Sequence, residues 1–476
     1  MRVLRPYQRK ALYFTLDKAY NALFLDMRLG KTLITIRSIR SKLFDRVQSV
    51  LIVCPYSAFP AWHNELLNEG YKEEEITFLI GTKAKRRKIF EIAKARCLDN
   101  TVKWFIINVE GWRALQEITL KKWQVMIIDE SYCLQSPPHI SKKTKVMCTS
   151  KFFTTYFREV PLKYILTGTP APESELNYFM QLFFLDKGIL QEENYWKFRS
   201  RYFIQYEKNQ WAISEKGKAY LARRLSTCAY FLSRKDVNLG GEKIYERRLI
   251  QVDKVTRKIY NDIWTNFVVK VGDEIRDVTD IGGVRFIWAR RLLGGFVTLQ
   301  DIRIQNQEAY TFEFIFSGKI DELKSLLSGE LKGQQVVVWA EFTNEINLIF
   351  EKIYLDYKTC IIDGSVSQDD RNCIENRFRS GHIQILICQP QATQYSRDFS
   401  TADTEIFYST PVSLKTRIQA EDRLISTKTN STLVIDFTCE STIEEDIVES
   451  LKKKESKQAM IKRIVQRLMG VKYETE

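Results

Sequence analysis

The chain has 476 residues, with ample apolar and aromatic content and a formal charge of +14, which reads as a globular protein of two or three domains with a polyanionic partner. No run approaches the roughly 18 apolar residues of a membrane span, and Met1-Arg2-Val3-Leu4-Arg5-Pro6 lacks a secretory h-region, so a cytosolic protein is expected. The nine cysteines form no C-x-x-C pair and His63, His139 and His382 lie far apart, which argues against a zinc or His-based metal site and leaves the cysteines as reduced core residues.

Apolar, β-branched runs alternate with helix-compatible stretches in the first third of the chain: Asn21–Asp26, Ser49–Cys54, Trp104–Asn108, Val125–Asp129 and Tyr164–Thr167. This is the βαβ rhythm of a parallel sheet. From about residue 173 to 317 the pattern turns aromatic and basic, as in Tyr195-Trp196-Lys197-Phe198-Arg199, and reads as helical insertions. A second strand series follows at Gln335–Ala340, Thr359–Ile362, Ile383–Cys388, Glu405–Tyr408 and Thr432–Phe437. The expected fold is α/β, with two parallel-sheet lobes at 1–172 and 317–476 and insertions at 173–316 between them. The tail from Thr442 to about Leu468 has helical apolar spacing.

Two segments carry chemistry. Asp26-Met27-Arg28-Leu29-Gly30-Lys31-Thr32 follows the first apolar run, and Asp129-Glu130-Ser131 ends the fourth. Gly30 lets the backbone bend towards phosphates, Lys31 offers an ammonium to the β and γ oxygens, and the Thr32 hydroxyl suits Mg²⁺ at a helix start. Asp129 suits the Mg²⁺ shell, and Glu130 suits orienting or deprotonating a water. The G-x-x-x-x-G-K-T pattern is incomplete, because its first position is Leu25. Both segments fall where an open parallel sheet places phosphate sites, beyond the carboxyl ends of strands.

The second half selects the class. It carries Gln391-Ala392-Thr393, Asp398-Phe399-Ser400-Thr401-Ala402-Asp403 and Gln419-Ala420-Glu421-Asp422-Arg423. With these, the motif order resembles that of superfamily 2 helicases, and in detail the Swi/Snf-type DNA translocases, particularly compact forms carried by phages and mobile elements. Leu4-Arg5-Pro6-Tyr7-Gln8 resembles the adenine-recognition element, with Gln8 as reader and Arg5 beside it. Asp26–Thr32 resembles motif I; Leu51–Pro55 with Trp62 and Glu65, motif Ia; and Asp129–Tyr132, motif II. Leu166-Thr167-Gly168-Thr169-Pro170 resembles motif III, whose implied role is coupling hydrolysis to lobe movement. Phe231–Val237 resembles the passage into the second lobe, Val336–Ala340 motif IV, Gly364 with Arg371 and Phe378 the pattern after it, Gln419–Arg423 motif VI, and Ser441–Glu445 the closing helix.

The resemblance implies two RecA-like lobes that close on ATP and Mg²⁺. Lys31, Thr32, Asp129 and Glu130 would sit on one side, with Arg423 and Gln419 from the other. Backbone-gripping surfaces would then step along duplex DNA in replication, recombination or repair, with Pro55, Trp112 and Thr393 as nucleic-acid contacts and a monomer as the working unit; for Trp112, beside Gly111 and Arg113, a packed core position is the favoured alternative to stacking on sugar or base. Met27-Arg28 replaces the family's common Met-Gly, a variation that phage-type members often show, and two further positions depart from the pattern: Ser426 replaces the second motif VI arginine, with Lys428 a poor substitute, and Ser396 replaces a motif V glycine. They leave open an ATP-gated clamp with weak turnover, and an RNA-directed helicase is a further alternative. The run Lys83-Ala84-Lys85-Arg86-Arg87-Lys88 reads equally as a solvated helix start or a DNA contact. No zinc-finger or nuclease pattern is attached, so a bare motor is expected.

Overall fold

The computed structural model describes residues 2–42, 49–95, 103–139, 147–172, 174–192, 194–207, 210–239, 241–265, 268–271, 274–277, 282–299, 310–313, 316–393, 397–424, 431–453, 460–461, 464 and 468. It divides into two compact units, Met1–Leu239 and Gly240–Glu476.

In the first unit, helix α1 (Pro6–Leu16) leads into β1 (Tyr20–Leu25), α2 (Lys31–Lys42), β2 (Ser49–Cys54), α3 (Phe59–Asn68), β3 (Ile76–Phe78) and α4 (Lys83–Ala95). Then come β4 (Lys103–Asn108), β5 (Val125–Asp129), α5 (Thr149–Tyr156), β6 (Leu162–Thr167), α6 (Tyr178–Leu185) and α7 (Lys187–Leu190). Helix α8 (Tyr195–Tyr202), the hairpin β7 (Phe203–Glu207) and β8 (Gln210–Ile213), α9 (Glu215–Cys228) and β9 (Ala229–Leu232) complete it. The sheet is parallel throughout, in the order β3-β4-β2-β5-β6-β1-β9. Its central strands are buried along nearly their whole length, which is why they read as continuous apolar runs. The order places β6 between β5 and β1, so the turns after these three strands emerge side by side.

The second unit runs β10 (Lys243–Ile250), α10 (Lys254–Thr265), the hairpins β11 (Val268–Val271) with β12 (Glu274–Asp277) and β13 (Phe296–Leu299) with β14 (Tyr310–Glu313), and α11 (Gly282–Leu293) between them. It continues α12 (Gly318–Ser328), β15 (Val336–Trp339), α13 (Thr343–Ile353), β16 (Thr359–Ile362), α14 (Gln368–Arg379), β17 (Ile385–Cys388), β18 (Thr404–Phe407), α15 (Leu414–Glu421), β19 (Thr432–Cys439) and α16 (Ile443–Lys452). A second parallel sheet forms in the order β10-β19-β18-β15-β17-β16.

The structure adds elements that the sequence pattern did not show. The stretch from 173 to 316 is divided between the units, and besides helices it supplies β9 to the first sheet and β10 to the second. Its three two-stranded hairpins are likewise strand structure within a segment read as helical. The cysteines also need correction: Cys54, Cys228, Cys388 and Cys439 are buried and free, but Cys373 is exposed and Cys133, Cys148 and Cys360 are only half-buried. Among the described residues, no helix is long and apolar enough to cross a membrane and no cluster of His, Cys, Asp and Glu has the make-up of a metal cage.

Candidate active site

The turn after β1 is built for close approach. Arg28 and Gly30 both adopt left-handed backbone, with φ of 65° and 90°, the first at a position where glycine would be unstrained. Gly30 then starts α2 by accepting from the Ile34 N–H at 3.0 Å, leaving the first N–H groups of the helix without intrahelical partners. The Lys31 ammonium folds back over this turn and donates to the carbonyls of Leu25 at 2.8 Å and Asp26 at 3.3 Å.

Neighbouring segments lock the turn. The Asp26 carboxylate accepts from the Arg234 N–H at 2.9 Å, and the Arg234 Nε donates to the Met27 carbonyl at 3.1 Å. Gln8 is buried; its Nε2 donates to the Leu29 carbonyl at 3.2 Å and its Oε1 accepts from the N–H of exposed Arg5 at 3.0 Å. A Cβ on Gly30 would lie 2.4 Å from that same Nε2, so any side chain here would displace the Gln8 amide in addition to straining the positive φ. Gln8, expected as a base reader, therefore also fastens the phosphate turn.

Asp129 ends β5 and is half-buried. Its Oδ2 accepts from the Trp62 indole at 2.8 Å and its Oδ1 from the Glu130 N–H at 3.0 Å. Burial, reinforced by the Glu130 charge, pushes its carboxyl up to about 6 against the opposing Trp62 bond and Lys31 charge. Glu130 is held left-handed at φ 53°, a strained conformation that persists only where the surroundings fix it. Two contacts do so. The Thr167 hydroxyl at the end of β6 donates to Glu130 Oε2 at 3.2 Å, and the following Ser131 donates to buried Gln181 at 2.6 Å.

The turn after β6 is tied to the same network. Thr169 N–H donates to the Thr167 hydroxyl at 3.1 Å, and Gln181 Nε2 donates to the Pro170 carbonyl at 2.7 Å. A Cβ on Gly168 would meet the Leu25 carbonyl at 3.4 Å and the Met27 nitrogen at 3.6 Å, so this turn packs directly on the phosphate turn. Lys31, Asp129, Glu130 and Thr167 are thus brought together at three adjacent strand ends.

In the second unit Arg423 is 1% exposed, with its Nε donating to the Gln419 carbonyl at 3.0 Å. Gln419 is itself buried, and its side-chain oxygen finds no partner among the described residues. Arg417, on the same helix, joins Glu421 at 2.6 Å and both carboxylate oxygens of Asp436, and Lys243 from β10 reaches Glu421 at 2.7 Å. Burial alone would raise Glu421, but Arg417 and Lys243 hold it below the usual range. Ser396, Ser426 and Lys428 lie outside the described residues.

The three side chains expected to touch nucleic acid are all buried. Trp112 stacks on Phe152 with centroids 4.1 Å apart, and Thr393 donates to the Pro390 carbonyl at 3.2 Å; Pro55 is likewise enclosed at the end of β2. Conversely, the sequence reading missed Trp62 as the partner of Asp129, Arg234 as the lock on motif I, and the Gln181 bridge. Only Trp62 and Arg234 stand in segments that had drawn notice, and nothing marks Gln181 within an apolar helix.

The SNF2-related domain family matches residues 7–304, and the helicase conserved C-terminal domain matches residues 318–428. The chain is 24% identical over 475 residues to the CHD3-type chromatin-remodeling factor CHR7 of Arabidopsis thaliana, covering 95% of this chain and 37% of that protein. It is 22% identical over 424 residues to the DNA repair and recombination protein RAD54-like of Danio rerio, covering 80% of this chain and 56% of that one. The chain therefore spans from over a third to just over half of the length of these curated relatives. Among solved structures, the Sulfolobus solfataricus SWI2/SNF2 ATPase core in complex with dsDNA aligns over 98% of this chain and 94% of its own, with 18% identity and a TM-score of 0.42. With one family covering residues 7–304 and the helicase C-terminal domain following it, the chain belongs to the SNF2-related family of superfamily 2 helicases.

Proposed function

We propose that this chain is an ATP-dependent translocase on duplex DNA. The observation that carries the reading is the constraint on Glu130: a left-handed backbone and a hydrogen bond from Thr167 aim its carboxylate beside Lys31 and Asp129. A scaffold has no need of such strain.

In this reading the Lys31 ammonium exchanges the Leu25 and Asp26 carbonyls for the β and γ phosphate oxygens, a stronger charge-assisted pairing. The helix start after Gly30 adds N–H donors. Glu130 orients the attacking water and takes its proton. The Thr32 hydroxyl and the Asp129 carboxylate, whose two oxygens are each anchored by one N–H donor, form the sparse oxygen set that suits Mg²⁺ with its waters and phosphates. Bound there, Mg²⁺ would neutralise charge on the phosphates. Thr167 and Gln181 transmit a change at Glu130 to the Thr169–Pro170 turn. Duplex DNA as track is supported by the family, by relatives named for chromatin remodeling and DNA repair, and by the charge of +14.

The test is displacement of a third strand from a triplex placed on a duplex track. ATP-dependent displacement, lost in Glu130→Gln, is expected. ATP-dependent retention on duplex without displacement would replace the motor by a clamp.

A further inference from the structure

Between α6 and β9 lies a surface that the nucleotide chemistry does not use. Helices α8 and α9 turn Tyr195, Phe198, Tyr202, Leu221 and Leu225 into the core of the first unit. Their mutual geometry is fixed: Tyr202 stacks on Tyr220 at 4.3 Å, Ser214 caps α9 by accepting from the Gly217 N–H at 3.1 Å, and a Cβ on Gly217 would come within 2.5 Å of the Tyr202 carbonyl.

On the outer side, the Arg199 guanidinium lies over two indoles, its Cζ 4.8 Å from the Trp196 ring centre and 4.2 Å from that of Trp211. Trp196 is 54% exposed. Among the described residues Arg199 makes no hydrogen bond or ion pair, and its Nε is enclosed without an acceptor. The surroundings are strongly basic: from Tyr195 to Cys228 the sequence carries eight Lys and Arg against two Glu.

We infer that the Trp196–Arg199–Trp211 cluster is a docking point for the phosphate backbone of duplex DNA, separate from the motif surfaces. A guanidinium packed over two rings has already lost much of its rotamer freedom, so little more is lost when its fork meets a phosphate. The planar donors match phosphate geometry, and the basic surroundings release counterions on contact. Each indole already has a face against the guanidinium, which favours backbone contact over base stacking. The inference rests on the reading of this chain as a duplex motor.

The experiment measures affinity of the full chain for a labelled random-sequence duplex and for the matching single strand across a salt series. Native protein is compared with Arg199→Ala, Arg199→Lys and Trp196→Ala; the last changes an exposed side chain and keeps the test meaningful if Arg199→Ala folds poorly. The expected result is severalfold weaker duplex binding for Arg199→Ala, with the plot of log affinity against log salt shallower by about 0.9 for one lost phosphate contact. Trp196→Ala and Arg199→Lys should also weaken binding, because a lysine keeps the charge but not the planar fork. Variants that equal native protein in affinity and slope would overturn the docking point while leaving the motor intact. Losses confined to the single strand would overturn the duplex assignment. A native chain that neither binds duplex nor hydrolyses ATP faster in its presence would instead contradict the motor reading itself.

Discussion

The strand ends of the first sheet and the motif VI helix of the second unit hold charge in opposite ways. At the first, among the described residues, Lys31 is held by backbone carbonyls alone and the Glu130 carboxylate accepts from the Thr167 hydroxyl. Such groups are positioned yet exchangeable. At the second, Arg417 is locked to Glu421 and Asp436, with Lys243 closing the cluster from β10. That arrangement fixes α15 against β19 and β10 and leaves little freedom for chemistry. The difference separates polar residues that serve turnover from those that set the frame.

The comparison breaks most sharply through substitutions with opposite signatures. Glu130→Gln is expected to lower ATP hydrolysis by about 10²- to 10⁴-fold while leaving the thermal midpoint near that of native protein, read by steady-state hydrolysis and calorimetry. Arg417→Met should do the reverse at the level of the fold: it strands the buried charges of Glu421 and Asp436, and a loss of about 3–5 kcal/mol is expected in denaturant unfolding of the second unit. If Arg417→Met melts like native protein, the cluster is not a frame.

A titrating group sharpens the point. Glu345, at the start of α13, is buried; its Oε2 accepts from Ser409 at 2.6 Å, and Oε1 has no partner among the described residues. Burial pushes its carboxyl up to about 7, against the opposing Lys319 charge and Ser409 bond. Because the folded value lies above the unfolded one, the folded state binds the extra proton, and stability falls as pH rises from about 4.5 to about 7 and stays reduced above that. Glu345→Gln keeps an acceptor for Ser409 and removes the titration. It is expected to flatten this slope and add about 1–3 kcal/mol at pH 8, checked by urea unfolding across pH. The smallest effect concerns Gln8→Ala, which frees the Leu29 carbonyl: a loss of about 1 kcal/mol in stability with weaker ATP binding, measured by nucleotide titration.

Much of this was legible beforehand where physics acts locally. The buried strands announce themselves as apolar runs because both faces are covered, and Gly30-Lys31-Thr32 and Asp129-Glu130 lie at the strand ends where the sequence places them. Strand β10 was not legible: Lys-Ile-Tyr-Glu-Arg-Arg-Leu-Ile lies at a sheet edge with half of its side chains exposed and only Ile250 buried, so it lacks the continuous apolar run of a buried strand. Trp112 is the core tryptophan that its sequence also allowed, whereas Thr393 looks like a surface contact only until packing encloses it. Gln181 could not be singled out, since its partners Ser131 and Pro170 lie 50 and 11 residues away. Arg28 is a local rule broken at a functional turn, where a left-handed φ of 65° would suit glycine better.

The most direct measurement is steady-state ATP hydrolysis by the full chain with no nucleic acid, single-stranded DNA, duplex DNA and RNA, with Glu130→Gln as the blank. The account expects strong stimulation by duplex DNA that vanishes in the variant. Rates at the level of the blank under every condition, with nucleotide still bound, would contradict it.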